Sequence, residues 1–174
     1  MGKVEKCRRT ILFLDIDGVL NSASWNAAHP AEIAAGILID QEKVQLFSRL
    51  VQRTQAQIIL HSGWRMWFDD TLQPLCQEAK TLVALLADAG LSISGTTPDL
   101  TTEEIRRTKQ FSLVKADEII AWLDAHPYVD GWVVLDDVAL HHEWVRAHQV
   151  MTDATVGLTI TDVQKAQTLL SGHP

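Results

Sequence analysis

The stretch ILFLDIDGVLN at residues 11–21 decides how this chain is read. Four apolar residues, Ile11, Leu12, Phe13 and Leu14, run without polar alternation into Asp15. An apolar run of that kind is a strand buried on both faces, the mark of a parallel sheet covered by helices. Asp15 and Asp17 are two residues apart, so a locally extended chain points both carboxylates the same way. Gly18 lets the backbone turn sharply behind them. Val19 and Leu20 resume apolar packing, and Asn21 is placed to brace the turn. Taken alone, these residues also describe an ordinary Asp/Gly turn after a strand.

Two more runs of the same kind follow. Ile58, Ile59 and Leu60 end at His61, Ser62 and Gly63, and Trp132, Val133, Val134 and Leu135 end at Asp136 and Asp137. Residues 91–95 and 149–152 are weaker strands. Helical spacing of apolar residues fills the gaps at 41–53, at 74–89 with Gly90 as the stop, and at 116–125 before Pro127. Thr159 and Asp162 form a capping pattern ahead of the inward face Val163, Ala166, Leu169 and Leu170. Residues 140–145 look helical. The expected fold is α/β: a three-layer, Rossmann-like open parallel sheet with helices on both faces.

The chain has 174 residues, which suits a single domain spanning 1–174, with 1–10 as a lead-in. Cys7 and Cys76 have no paired spacing, so neither a disulfide framework nor a zinc knuckle is expected. No apolar run reaches the length of a membrane span. The start, MGKVEKCRRT, leads through ILFL directly into acids, unlike a signal peptide, and Lys6 stands where myristoylation needs Ser or Thr. A cytoplasmic protein without a membrane partner is the expectation. With 22 acidic against 15 basic side chains, a net charge of −7 argues against a broad nucleic-acid-binding face. It says little about a small local site.

Ligands of open parallel sheets bind beyond the carboxyl ends of the strands. Here the strong strands end in Asp15 and Asp17, in Ser62, and in Asp136 and Asp137. Gathered carboxylates repel, so a cation belongs among them. Carboxylate oxygens with water are the ligand set of Mg2+. Of the two acids after the first strand, one can be a nucleophile that shares the metal, and the other a general acid/base. Ser62 with the Gly63 N–H can hold phosphate oxygens. One of Asp136 and Asp137 can cap the following helix instead. Lys115, at the expected start of the 116–125 helix, can meet a phosphate, and Lys109 with Arg106 and Arg107 is the alternative cation.

FLDIDGVLN at 13–21 resembles motif I of the haloacid-dehalogenase-like (HAD) superfamily, the DxDG(V/T) signature of its phosphatase branches. IILHSG at 58–63 resembles motif II, Lys115 motif III and WVVLDD at 132–137 motif IV, all in the superfamily's order. With SGWR at 62–65, KADEIIAWL at 115–123 and TDATVGLT at 152–159, the chain further resembles the small HAD domains grouped with predicted RNA-repair proteins. The resemblance implies a Mg2+-dependent phosphomonoester hydrolase working through an aspartyl-phosphate. Asp15 is then the nucleophile and Asp17 the acid/base, with its backbone carbonyl helping to hold Mg2+. Ser62, Gly63 and Lys115 bind the phosphoryl group, and Asp15, Asp17, Asp136 and Asp137 form the metal site.

Superfamily members usually select substrates with an inserted cap. Residues 21–40 are too few for a large one, and only 96–112 remain for a small lid, with Thr101, Thr102, Glu103 and Glu104 starting a short helix. An open site suits a phosphate carried on something large, such as a polynucleotide end or a phosphoprotein. Trp64 and Arg65 are candidate substrate contacts; with Trp67 and Trp25 they either stack on a base or sugar or pack the core. Asp69, four residues on, competes for Arg65. Trp122, Trp132 and Trp144 are expected in the core. His141, His142 and His148 lack a zinc spacing. A phospho-accepting signalling module and a non-catalytic binding domain that keeps the HAD fold are the alternatives. Asp17 speaks against the first, because receiver modules have no acid two residues after the phosphorylated one, and the intact acid set speaks against the second.

Overall fold

Apolar β-formers at 10–14, 57–60 and 131–136 make the three inner strands of one sheet. The computed structural model describes residues 9–172; Lys6, Cys7 and most of the expected lead-in lie outside them. Chain order is β1 (Thr10–Leu14), α1 (Ala23–Ala28), α2 (Pro30–Ala34), α3 (Gln41–Thr54), β2 (Gln57–Leu60), a 3-10 turn (Gly63–Trp67) and α4 (Gln77–Asp88). Then come β3 (Ile93–Thr96), α5 (Glu103–Thr108), α6 (Phe111–Asp124), β4 (Gly131–Asp136), α7 (Glu143–Arg146), β5 (Gln149–Met151) and α8 (Ile160–Ser171).

All five strands are parallel, in the order β3-β2-β1-β4-β5. The order reverses at β1, and the crevice beside such a reversal is where open sheets bind ligands. Leu14 lies opposite both Leu60 and Leu135, so the three inner strands end level.

The period of two along each strand divides the core. Leu12, Leu14, Ile58, Leu60, Val133 and Leu135 bury against α3, α4 and α8. Ile11, Phe13, Ile59, Trp132 and Val134 bury against α6 and α7. The layers are those expected. The capping box of Thr159 and Asp162 opens α8.

Several boundaries differ from the sequence reading. Helix α6 begins at Phe111 because Val114 buries with the later apolar face, and this puts Lys115 in the second turn rather than at the start. Helix α4 begins only at Gln77, because Leu75 N–H donates to the Trp67 carbonyl and Phe68 pairs with Pro74, holding that stretch extended. Residues 138–142 are irregular, since Val138 N–H bonds the Asp136 carboxylate and Leu140 N–H bonds Gln149. Asp136 therefore caps a turn, and α7 is a short helix from Glu143. Trp144 is 46% exposed, against the edge of Trp132, and so is not core. Among the described residues no helix is long and apolar enough to cross a membrane.

Phe13 is fully buried and meets Trp122 and Trp132 edge-on, with centroids 5.3 and 6.0 Å away. Phe13→Ala should lower stability by about 3–5 kcal/mol in denaturant unfolding.

Candidate active site

Alternation that buries Phe13 towards α6 carries Asp15, two residues on, to the same side. The same step leads from Ile59 to His61 and from Val134 to Asp136. The sheet pairing continues to these ends: Asp15 N–H donates to the Leu135 carbonyl at 3.0 Å, and His61 N–H to the Leu14 carbonyl at 2.7 Å. Asp15, His61 and Asp136 are all buried.

Helix α6 crosses above them. Lys115 Nζ donates to Asp15 Oδ2 at 2.8 Å and to Asp136 Oδ2 at 2.6 Å. Burial disfavours the lysine's charge, but attraction from Asp15 and Asp136 outweighs it, and its pKa is raised. Lys109 sits just beyond α5 in a left-handed conformation and makes neither contact. Asp136 is pushed up by burial and then by the charge of Asp15, and Asp137, half-buried beside them, shifts the same way for the same reasons.

Asp15, Asp136 and Asp137 each offer an oxygen within 4.8 Å of the others, a donor set that fits a small divalent cation. The Asp17 carboxylate stands outside this group; the metal contact that the resemblance implies for Asp17 is through its backbone carbonyl. Asn21 Nδ2 donates to its Oδ1 at 2.8 Å, and the Trp64 indole N–H donates to its Oδ2 at 3.1 Å. Asn21 also braces the turn as expected, accepting from Gly18 N–H at 3.0 Å.

Gly18 has φ +75°, and a Cβ there would lie 2.6 Å from Asp137 Cγ. Thr152 Oγ1 donates to the Gly18 carbonyl at 2.7 Å, and Leu158 N–H donates to the Val19 carbonyl at 2.9 Å. The 152–159 stretch, which follows β5, thus clamps the acidic loop.

Ser62 and Gly63 line one cavity with Asp15, Asp17, Lys115 and Asp137; its volume is about 550 Å³. Arg65 lines it too, but does not pair with Asp69, which is taken up by Thr71 and Gln73 in its own turn. Instead, Arg65 donates to Glu118 Oε1 at 2.7 Å and Asp99 Oδ1 at 3.3 Å. Glu118 is buried and also accepts from Leu100 N–H at 3.0 Å. Burial raises its pKa, and Arg65 opposes that rise.

Glu118 was not foreseen, although its place three residues after Lys115 puts both on one helix face. His61 is buried, lies 3.1 Å from Thr97 Oγ1 and is held neutral by burial, then by the charges of Lys115 and Arg65. Thr101, Arg106 and the exposed side chains of Met66 and Phe111 complete much of the cavity wall. Trp64 is 4% exposed and does not line it; it packs, the other of its two expected uses, and its indole N–H bonds Asp17. Trp25 stacks on His29 elsewhere. The histidines at 141, 142 and 148 form no metal cluster among the described residues.

A parallel α/β sheet of order 3-2-1-4-5, with an aspartate pair after its central strand and two more acids at the end of the adjacent one, agrees with what the resemblance to the HAD superfamily implies. The profile of the HAD domain in Swiss Army Knife RNA repair proteins matches residues 11–163, and the chain belongs to that family. No curated protein and no solved structure gives a significant match.

In metal-free buffer, Lys115→Ala should cost about 3–5 kcal/mol near neutral pH, because it leaves two buried carboxylates unpaired. The loss should shrink in acid, where protonation removes the charges the lysine neutralises. Denaturant unfolding at two pH values measures both; equal losses would mean that the lysine acts by packing alone.

Proposed function

We propose that this protein is a Mg2+-dependent phosphomonoester hydrolase that uses Asp15 as its nucleophile and acts on the phosphorylated end of a polynucleotide. The observation that carries the reading is Asp15 itself. It is buried at the end of the central strand, paired with Lys115, and opens onto a cavity that Ser62, Gly63 and Asp17 also line. Family membership supports it, since HAD domains are generally hydrolases and phosphatases.

In this reading a substrate phosphoryl group lies among Ser62 Oγ, the Gly63 N–H and Lys115 Nζ. Asp15 attacks phosphorus as the bond to the leaving oxygen breaks, and Asp17 gives that oxygen its proton. Asp17 then takes a proton from the water that attacks the aspartyl-phosphate, and phosphate departs with Asp15 regenerated. Lys115 keeps its charge throughout and offsets that of the nucleophile and the phosphoryl oxygens. Asp15, Asp136 and Asp137 would hold Mg2+, together with the Asp17 backbone carbonyl, and the ion would supply further charge neutralisation.

Three observations favour a polynucleotide end as substrate. The family is described from RNA repair proteins. A cavity of about 550 Å³ exceeds what a phosphoryl group fills and leaves room for its organic part. Met66 and Phe111 present apolar surface on its wall, Phe111 being 42% exposed, and aromatic faces stack bases. Residues 96–112, which carry α5 and place Thr101 and Arg106 on that wall, act as a small lid over a domain spanning 1–174.

Asp15→Asn should abolish hydrolysis of a generic phosphate ester in Mg2+ while leaving the unfolding transition in place. Substantial turnover by that variant would remove Asp15 as nucleophile. A panel of 3′- and 5′-phosphorylated oligonucleotides, nucleotides and sugar phosphates should show higher kcat/KM for an oligonucleotide end. No such preference would remove the polynucleotide substrate.

A further inference from the structure

Both oxygens of the Asp17 carboxylate are held by side-chain donors that come from different parts of the fold. Asn21, in the loop after β1, bonds Oδ1 at 2.8 Å, and the indole N–H of Trp64, in the turn after β2, bonds Oδ2 at 3.1 Å. Asp17 is otherwise exposed, and an exposed carboxylate is free to turn about its terminal torsion. Two donors on opposite oxygens remove that freedom.

Trp64 is well placed to be the rigid member of the pair. Its side chain is buried and packs against Trp67 with ring centroids 4.7 Å apart, so its N–H has a fixed direction. A buried indole N–H needs an acceptor, and here the acceptor is the carboxylate. The backbone N–H of Trp64 also donates to Ser62 Oγ at 3.3 Å, so one residue touches both the phosphate-binding hydroxyl and the acid/base.

We propose that Trp64 is a positioning residue for the proton transfer: its indole N–H holds Asp17 at the angle from which it protonates the leaving oxygen. This rests on the reading of Asp17 as the acid/base. It differs from a packing role, which would need the ring but not its N–H.

The two roles separate by leaving group. A p-nitrophenolate departs without help from an acid, whereas an alkoxide needs its proton. Trp64→Phe keeps an aromatic ring and loses the donor. Its rate of leaving-group release in a single turnover should fall roughly 10–100-fold on an alkyl phosphate, the loss expected of a hydrogen bond to a charged group. On p-nitrophenyl phosphate the change should stay within about threefold. In an Asp17→Asn background the same substitution should add nothing further, because its effect runs through Asp17.

Equal losses on the two substrates, or additive losses in the double variant, would overturn the proposal. If Asp17→Asn slows leaving-group release in a single turnover from both substrates alike, the reading of Asp17 as the acid falls and the proposal with it. That outcome is distinct from one in which Asp17→Asn discriminates between leaving groups and Trp64→Phe does not, which removes Trp64 alone. Should Trp64→Phe fail to fold, replacing Trp64 by benzothienylalanine, which keeps the bicyclic shape without the N–H, makes the same comparison.

Discussion

A lysine ammonium between two buried aspartates is the contact on which the rest of the site depends. Charges about 4 Å apart interact by roughly 4 kcal/mol at the effective dielectric of a protein interior near its surface, enough to decide side-chain placement. Without Lys115 the strand ends would bring Asp15 and Asp136 together with nothing to oppose their repulsion. With it, three carboxylates still face one ammonium, and burial first, then the charge of Asp15, raises the pKa values of Asp136 and Asp137. The surplus is what makes the cluster a fit for a divalent cation rather than a closed ion pair.

Helix α6 does more than deliver that lysine. Glu118, one turn further on, reaches Arg65 from the turn after β2 and the Leu100 N–H from the stretch after β3. A single helix face thereby ties the turn after β2, the base of the 96–112 segment and the strand-end acids into one arrangement. Burying Glu118 unpaired would be costly, so this bonding also fixes which way Arg65 lies. Arg65 is consequently held on the wall of the cavity by two carboxylates through its Nη2.

Much of this was legible from residues alone. Solid apolar runs ending in polar residues located β1, β2 and β4 and the crevice at their ends, because a strand buried on both faces can tolerate polar residues only where it leaves the sheet. The period of two already implied that His61 and Ser62 face opposite sides. What misled was local spacing. Asp69 stands one helical turn from Arg65 in sequence, yet residues 69–73 form their own turn and never present that carboxylate. Trp64 reads as an aromatic next to a phosphate site, and only its burial shows that its polar edge is spent on Asp17.

By itself, the sequence determined the strand and helix types, the parallel sheet, the family and the residue kinds at the strand ends, since each follows from short-range periodicity or from motifs a few residues long. The tertiary structure decided which of these groups meet. Lys115 joins Asp15 across one hundred residues of chain, Trp64 joins Asp17 across forty-seven, and Glu118 joins Arg65 across fifty-three. Such pairings depend on strand order, register and the height at which α6 crosses the sheet. Those are set by the packing of whole elements, which no local pattern encodes.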